Sequence, residues 1–119
     1  LGIDVLTGSG SLFLSALTGG ASGVVDGPLT IAPEIWVEAY TNFKEGNITK
    51  AKELQEKGAK LVDIAGKYGM QATCKVLVQA RLGIETGAPR APLSPLNSEE
   101  TKNLLKEAMS IGILSKEQA

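Results

Sequence analysis

The chain has 119 residues, enough for one domain, and 43% of them are hydrophobic, which is typical of a sequence that folds. Twelve basic residues against thirteen acidic ones leave a net charge of −1, so we expect no nucleic-acid partner. The chain contains no histidine, which excludes histidine-based metal sites and triads, and it contains no apolar run long enough to predict a membrane span.

The single cysteine, Cys74, excludes an intramolecular disulfide and favours a reducing compartment, either cytoplasmic or mitochondrial. It lies within a helical pattern, so we expect a buried structural thiol. The chain begins at Leu1 rather than at methionine, which predicts that residues were removed or that the chain is part of a longer polypeptide.

The first predicted elements form a strand–helix–strand unit. Residues 3–7 (IDVLT) predict a short buried strand, which the glycines of GSGS at 8–11 end. We expect Ser11 to cap a short helix that reaches about Thr18 before a Gly-Gly pair. Residues 23–26 (GVVD) predict a second strand before Gly-Pro. This order predicts parallel strands with a right-handed crossover.

After Pro33 the apolar spacing becomes helical. Four residues recur on one face of the next predicted helix: Trp36, Ala39, Tyr40 and Phe43. Asn47 predicts the cap of a further helix. That helix carries Gly58 on its apolar side. A glycine costs about 1 kcal/mol relative to alanine in a helix interior, so Gly58 predicts close contact with another helix, the alternative being simple tolerance of this cost.

The C-terminal part predicts two more helices joined by a loop. One helix is predicted over about 71–82, and the proline-rich segment 83–97 predicts an ordered loop. Asn97 or Ser98 predicts the start of the last helix, and Glu100 would complete a capping box with Asn97. Its predicted buried face consists of Leu104, Leu105, Ala108 and Met109.

Two strands and at least four helices are an unbalanced set. Both faces of a parallel sheet need cover and both edges need partners. The two strands are therefore expected to belong to a larger sheet whose other strands are absent from this chain.

The segments VLTGSGSLFLSALTGGASGVVDG, KAKELQEKGAKL, YGMQATCKVLVQARLG and PRAPLSPLNSEETKNLL occur in a familiar order. In this order the chain resembles the C-terminal portion of a class I, Schiff-base-forming pyruvate aldolase of the dihydrodipicolinate synthase / N-acetylneuraminate lyase family. The GSGS and RAPL segments are most similar to 4-hydroxy-2-oxoglutarate aldolase or to 2-keto-3-deoxy sugar-acid aldolases.

The resemblance implies an α/β fold, namely the C-terminal part of a (β/α)8 TIM barrel with an appended helical bundle. Residues 3–7 and 23–26 would be its last two strands. The barrel part would be 1–46, and 47–119 would be the C-terminal helical extension.

By the same resemblance, the loops after these strands lie at the catalytic rim. The implied substrate-binding residues are Gly8, Ser9, Gly10, Val25, Asp26 and Gly27. Small residues at positions 10 and 11 imply weaker polyol recognition or a different substrate tail. Besides substrate contact, GSGS is compatible with an anion-binding cradle at 9–11 and with a purely structural turn.

The implied chemistry uses a lysine that forms a Schiff base with pyruvate, together with a tyrosine that relays protons. In the family both residues precede the region that this chain matches, so no catalytic residue maps onto it. Lys75 lies near apolar residues but on an appended helix, and we expect a salt bridge or a surface position for it. The resemblance implies no cofactor and no metal.

The chain is thus predicted to be the C-terminal segment of a pyruvate-dependent aldolase or lyase and to be inactive alone. Its expected partners are the N-terminal remainder of the barrel, a pyruvate or 2-keto acid substrate, and copies of itself in a dimer or tetramer. The alternative is a non-catalytic half-barrel scaffold or truncated isoform that self-associates or pairs with a partner.

Overall fold

The computed structural model describes residues 2–119, which divide into two compact units. The first ends at Val62 and the second begins at Asp63. The boundary lies inside the longest helix of the described chain, α3 (Ile48–Tyr68).

The first unit contains two short parallel strands, β1 (Leu6–Thr7) and β2 (Gly23–Val24). Their register pairs Leu6 with Gly23 and Thr7 with Val24. The prediction of parallel strands is confirmed, but each strand is shorter than the predicted segments 3–7 and 23–26. Among residues 2–119 these two strands have only each other as neighbours. Backbone bonds from Ser22 N to Val5 O and from Val25 N to Thr7 O flank the paired residues.

Apolar side chains around the two strands are exposed. Ile3, Val5 and Val25 have relative exposures of 70%, 58% and 65%. Strands of a parallel sheet are normally buried on both faces. The prediction of a buried strand over residues 3–7 is therefore wrong for the described part of the chain, which leaves this strand region without its usual cover.

The segment between the strands begins with a 3-10 helix (Gly10–Leu12), which continues into α1 (Phe13–Thr18). The prediction that Ser11 caps this helix is wrong. Ser11 lies within the 3-10 turn, and the N-cap position of α1 is Leu12, which makes no side-chain capping bond. Phe13 and Leu17 carry the buried face of the helix.

A second 3-10 helix (Gly27–Thr30) leads into α2 (Pro33–Lys44). Pro33 lies in the first turn of α2, where the missing N–H of a proline costs no helical hydrogen bond. The predicted helix after Pro33 is thus confirmed, with Ile35, Trp36 and Ala39 buried. Before α3, Asn47 Oδ1 accepts a bond from Lys50 N at 3.4 Å, the contact expected of the predicted cap.

The second unit contains the end of α3, then α4 (Met70–Leu82) and α5 (Ser98–Ser110). The predicted capping box is confirmed, because Asn97 Oδ1 accepts from Glu100 N and Glu100 Oε2 accepts from Asn97 N, each at 2.9 Å. The buried apolar residues of this unit are Ile64, Ala65, Ala72, Leu77, Leu104, Ala108, Ile113 and Leu114.

Loop 83–97 is attached to α4 by hydrogen bonds. Lys75 Nζ donates to Thr86 O at 2.8 Å, and Thr86 Oγ1 donates to Lys75 O at 3.0 Å. Lys75 therefore holds the loop, which differs from the expected salt bridge or surface position. Cys74 is half-buried rather than fully buried.

One carboxylate in the second unit accepts two side-chain hydrogen bonds. Lys67 Nζ and Tyr68 Oη both donate to Glu107 Oε1, the latter at 2.7 Å. The hydrogen bond from Lys67, followed by that from Tyr68, holds the pKa of Glu107 below its ordinary value. The same contacts with Glu107 raise the pKa of Lys67 and of Tyr68.

In the part of the chain that the structure describes, no helix has the length and apolar character needed to cross a membrane.

Candidate functional site

The candidate site is the loop over residues 8–11, which we call the rim loop, together with the start of the segment that follows β2. The rim loop begins directly after β1 and turns into the 3-10 helix that precedes α1. Ser9 N donates to Thr7 Oγ1 at 3.3 Å, and the hydroxyls of Ser9 and Ser11 are 3.1 Å apart. Both predicted loops thus lie at the carboxyl ends of the two strands.

Asp26 connects these two loops. Its Oδ2 accepts a hydrogen bond from Gly10 N and its Oδ1 accepts one from Gly27 N, both at 2.7 Å. Each carboxylate oxygen is therefore bonded to a backbone amide. An anion-binding cradle needs free amides. Since the central amide of the rim loop already donates to a carboxylate, this geometry argues against the cradle.

The indole ring of Trp36 on α2 packs against the rim loop and forms a hydrogen bond with it. Its Nε1 donates to Gly10 O at 3.0 Å, and only 3% of the residue is exposed. A Cβ at Gly10 would lie 3.0 Å from Trp36 Cζ2, and a Cβ at Gly58 on α3 would also lie 3.0 Å from that atom. The indole thus occupies the space that side chains at both glycines would need. The predicted close contact at Gly58 is confirmed.

Gln55 on α3 contacts the same loop with both ends of its amide. Its Nε2 donates to Gly10 O at 3.0 Å and to Ser11 O at 2.8 Å. Its Oε1 accepts from Leu14 N, in the first turn of α1, at 2.8 Å. This side chain caps α1 from another element and takes the role that the sequence assigns to Ser11.

The structure joins three of the six predicted site residues by hydrogen bonds, namely Gly10, Asp26 and Gly27. Ser9 bonds Thr7 and Ser11 instead. Gly8 is exposed, and nothing lies within 4 Å of a Cβ built there, so no atom of the described chain requires glycine at this position. Val25 N donates to Thr7 O at 2.9 Å while its side chain is open. The roles of these residues toward a substrate stay predictions.

Sequence reasoning assigned Trp36 only to an apolar helix face and did not identify Gln55. One signal in the sequence could have indicated Gln55. It is a neutral amide in a helix rich in charged residues, one turn before Gly58. Its hydrogen bonds join residues 41 to 45 positions apart, so no local pattern predicts them.

Among residues 2–119 no group of three or more cysteine or acidic side chains is placed to hold a metal ion. The polar groups at the candidate site include the hydroxyls of Ser9 and Ser11, backbone groups and the bonded carboxylate of Asp26.

The sequence matches the profile of the Dihydrodipicolinate synthetase family over residues 2–111. The chain therefore belongs to this family, and the resemblance found in the sequence is confirmed.

Two curated relatives agree with this membership. A 2-dehydro-3-deoxy-phosphogluconate/2-dehydro-3-deoxy-6-phosphogalactonate aldolase of Sulfurisphaera tokodaii is 34% identical over 113 residues, covering 92% of this chain and 37% of the relative. A 4-hydroxy-tetrahydrodipicolinate synthase of Corynebacterium diphtheriae is 32% identical over 113 residues, covering 95% of this chain and 37% of the relative. The chain thus spans 37% of the length of each.

Solved structures agree with the family assignment. A Sulfolobus 2-keto-3-deoxygluconate aldolase in complex with D-KDPG superposes with a TM-score of 0.85 at 27% identity, covering 94% of this chain and 41% of that one. An N-acetylneuraminate lyase of Proteus mirabilis superposes with a TM-score of 0.82 at 27% identity, covering 90% and 36%. The α/β arrangement of this chain is therefore similar to part of these larger enzymes.

Proposed function

We propose that this chain is the C-terminal part of a Schiff-base-forming pyruvate aldolase, in which it supplies the last two strands and part of the substrate rim. The family match over residues 2–111 carries the proposal. Residues 1–46 would complete the barrel, and 47–119 would form the helical extension. The exposed apolar side chains of the strand region support this proposal, because the further strands and helices of a barrel would cover those side chains.

In the proposed cleavage a lysine outside this chain condenses with the keto group of the 2-keto acid and releases water. The resulting protonated imine accepts the electron pair of the C3–C4 bond as the C4 hydroxyl loses its proton, which releases the aldehyde and leaves an enamine. Protonation of the enamine at C3 and hydrolysis then release pyruvate and the free lysine, and condensation runs through the same steps in the opposite direction, starting from pyruvate. This chain would position the remainder of the substrate through Gly8, Ser9, Gly10, Val25, Asp26 and Gly27.

Lys75 is the lysine of this chain that the sequence singled out, and its bond to Thr86 O supports a structural role. The proposed enzyme therefore depends on polypeptide that precedes this chain, and copies of the complete protein would form a dimer or tetramer.

The test is reduction with borohydride in the presence of pyruvate, followed by mass analysis of peptides. We expect no adduct on this chain alone and one adduct in the complete polypeptide, on a peptide that precedes Leu1. The Lys75→Met variant of the complete protein should still form it. An adduct on any lysine of this chain would overturn the proposal.

The alternative of a non-catalytic scaffold predicts a different result. In that case the complete protein forms no adduct, and the exposed strand region serves only to pair with another chain. Size-exclusion chromatography of this chain should then show a defined oligomer that substitutions Ile3→Lys and Val5→Lys convert to monomer. If borohydride traps pyruvate on the complete protein, the scaffold alternative is excluded.

A further inference from the structure

The rim loop is held by a side chain from α3, a helix of the proposed extension. Gln55 makes three hydrogen bonds to the segment from Gly10 to Leu14, and these bonds require one acceptor and two donors on the same side chain. A glutamine amide supplies both kinds of group, whereas a carboxylate only accepts and an ammonium only donates. The contact is therefore specific for an amide.

These bonds determine which polar groups the rim loop can offer to a ligand. Gly10 O accepts from both Gln55 Nε2 and Trp36 Nε1, and Ser11 O accepts from Gln55 Nε2. Gly10 N donates to Asp26. The backbone groups at the centre of the loop are thus bonded within the protein, and the half-buried hydroxyls of Ser9 and Ser11 face each other at 3.1 Å.

The geometry points to Gln55 as a positioning residue for substrate recognition. We propose that Gln55, assisted by Trp36, fixes the rim loop so that the hydroxyls of Ser9 and Ser11 meet the hydroxylated tail of a 2-keto acid. The proposal rests on the proposed function. The extension then contributes to specificity without touching the substrate.

The small residues at positions 10 and 11 imply weaker polyol recognition than acidic side chains would give. The two serine hydroxyls still suit a neutral, hydroxyl-bearing tail because each can donate one hydrogen bond and accept others. They carry no charge, and the neighbouring Asp26 adds a negative one. Pyruvate itself has no such tail. Loss of the positioning contact should therefore affect a longer 2-keto acid and leave pyruvate binding unchanged.

The first test measures amide hydrogen exchange by NMR in the Gln55→Met variant, which keeps the side-chain length and removes all three bonds. Exchange at Leu14 N should accelerate roughly 2- to 10-fold, the range expected for one lost hydrogen bond. Lys52→Met, an exposed position on the same helix, is the control and should leave this amide unchanged. Equal exchange in Gln55→Met and wild type would overturn the proposal.

Two further variants, each of which removes a different subset of the bonds, keep the test decisive if Gln55→Met fails to fold. Gln55→Glu retains the bond from Leu14 N but loses both donors, so exchange at Leu14 N should change less than in Gln55→Met. Trp36→Phe removes only the second bond to Gly10 O and should leave Leu14 N protected. The exchange rate at Leu14 N should therefore rise most in Gln55→Met, less in Gln55→Glu and least in Trp36→Phe. Any other order of the three variants contradicts the assigned contacts.

The second test uses the complete polypeptide with 2-keto-3-deoxygluconate and pyruvate as probes. In Gln55→Met, KM for 2-keto-3-deoxygluconate should rise about tenfold while kcat stays within about twofold, the signature of lost binding shared by ground and transition states. Borohydride trapping with pyruvate should keep its wild-type concentration dependence. In Gln55→Glu the KM for 2-keto-3-deoxygluconate should rise at least as much as in Gln55→Met, because a carboxylate oxygen would then face the carbonyl oxygens of Gly10 and Ser11.

The outcomes separate the two proposals. If the wild-type protein traps no pyruvate, the proposed function fails, and the exchange measurement still decides whether Gln55 holds the loop. Suppose instead that the wild type traps pyruvate. If Gln55→Met then changes only kcat for 2-keto-3-deoxygluconate, or weakens pyruvate trapping as much as it raises the KM for 2-keto-3-deoxygluconate, the positioning role is wrong and the proposed function stands.

Discussion

The strand region at the start of the chain and the helical unit from Asp63 onward differ in how well they cover their own apolar side chains. Around β1 and β2, Val5 and Val25 are more than half exposed. In the helical unit, Leu77 on α4 and Leu104 on α5 have no exposed surface. Helices satisfy their backbone within themselves, whereas strands need neighbours. In the strand region, exposed apolar side chains thus lie beside strands that have only each other as neighbours among residues 2–119. The helical unit also exposes Leu82, Ile84 and Leu93, but its helices need no neighbouring strand to complete their backbone hydrogen bonds.

The rim loop adds a third kind of environment to this comparison. It lies beside the open strands, yet its backbone is bonded to Asp26, Trp36 and Gln55. Under the proposed function, these hydrogen bonds would keep the loop in one shape for binding a substrate.

The largest expected effect compares matched truncations in the two regions. Leu77→Ala should lower the free energy of unfolding by about 2 to 5 kcal/mol because it leaves a cavity in a closed core. Val5→Ala, which removes a largely exposed side chain, should change it by no more than about 0.5 kcal/mol. Urea unfolding of this chain measures both. Equal losses would show that the strand region is as well covered as the helical unit.

Because Trp36 packs between two glycines, we predict that the effect of Gly58→Ala on the free energy of unfolding changes sign with the residue at position 36. Gly58→Ala should destabilise by about 1 to 3 kcal/mol because its Cβ overpacks the indole. In a Trp36→Leu background that clash is gone, and the same substitution should stabilise by about 1 kcal/mol through helix propensity.

Gly66 is the control for this cycle because it lies on the same helix with nothing within 4 Å of a Cβ. Gly66→Ala should stabilise by about 1 kcal/mol in both backgrounds. Additive effects of Gly58→Ala and Trp36→Leu would contradict the contact.

Thr73 on α4 is fully buried, and its hydroxyl has no hydrogen-bond partner among residues 2–119. Thr73→Val keeps the shape and removes this buried polar group, so it should stabilise the chain by about 1 kcal/mol in thermal or urea unfolding. Thr86→Val removes a hydroxyl that donates to Lys75 O, and it should destabilise by a similar amount. A destabilising Thr73→Val would indicate a partner for its hydroxyl.

The smallest expected effect is a pH dependence in the helical unit. Because the folded-state pKa of Glu107 is lowered from 4.5, its contribution is present above that value and is lost as the pH falls through the folded pKa. Glu107→Gln should therefore reduce the loss of stability between about pH 7 and pH 3. Since the pair is at the surface, the change should be small.

Lys67→Met removes the first donor to Glu107 and should reduce the same acid-dependent loss. Urea midpoints at the two pH values measure both variants. If Glu107→Gln loses as much stability on acidification as the wild type, the hydrogen bonds to this carboxylate do not contribute to the acid response.

The sequence by itself determined the order of the elements, the parallel pair of strands, the family, and those contacts that involve neighbours along the chain. The capping box at Asn97 and Glu100 is an example, since its two bonds join residues three positions apart. The close packing at Gly58 was predictable only in part. A glycine inside a helix has a known cost, which suggests a close neighbour, but Gly66 on the same helix has nothing within 4 Å of a Cβ.

Only the tertiary structure decided how the rim loop is held. Sequence rules assign the cap of α1 to Ser11, but Leu14 N bonds Gln55, which lies 41 positions later. It also decided that Trp36 is a hydrogen-bond donor to Gly10 as well as an apolar residue. Hydrophobic spacing and capping rules describe a residue's local surroundings. The bonds of Gln55 join α3 to the rim loop and to α1. They depend on how tertiary packing places these three elements, and the spacing of residues along the chain does not determine that placement.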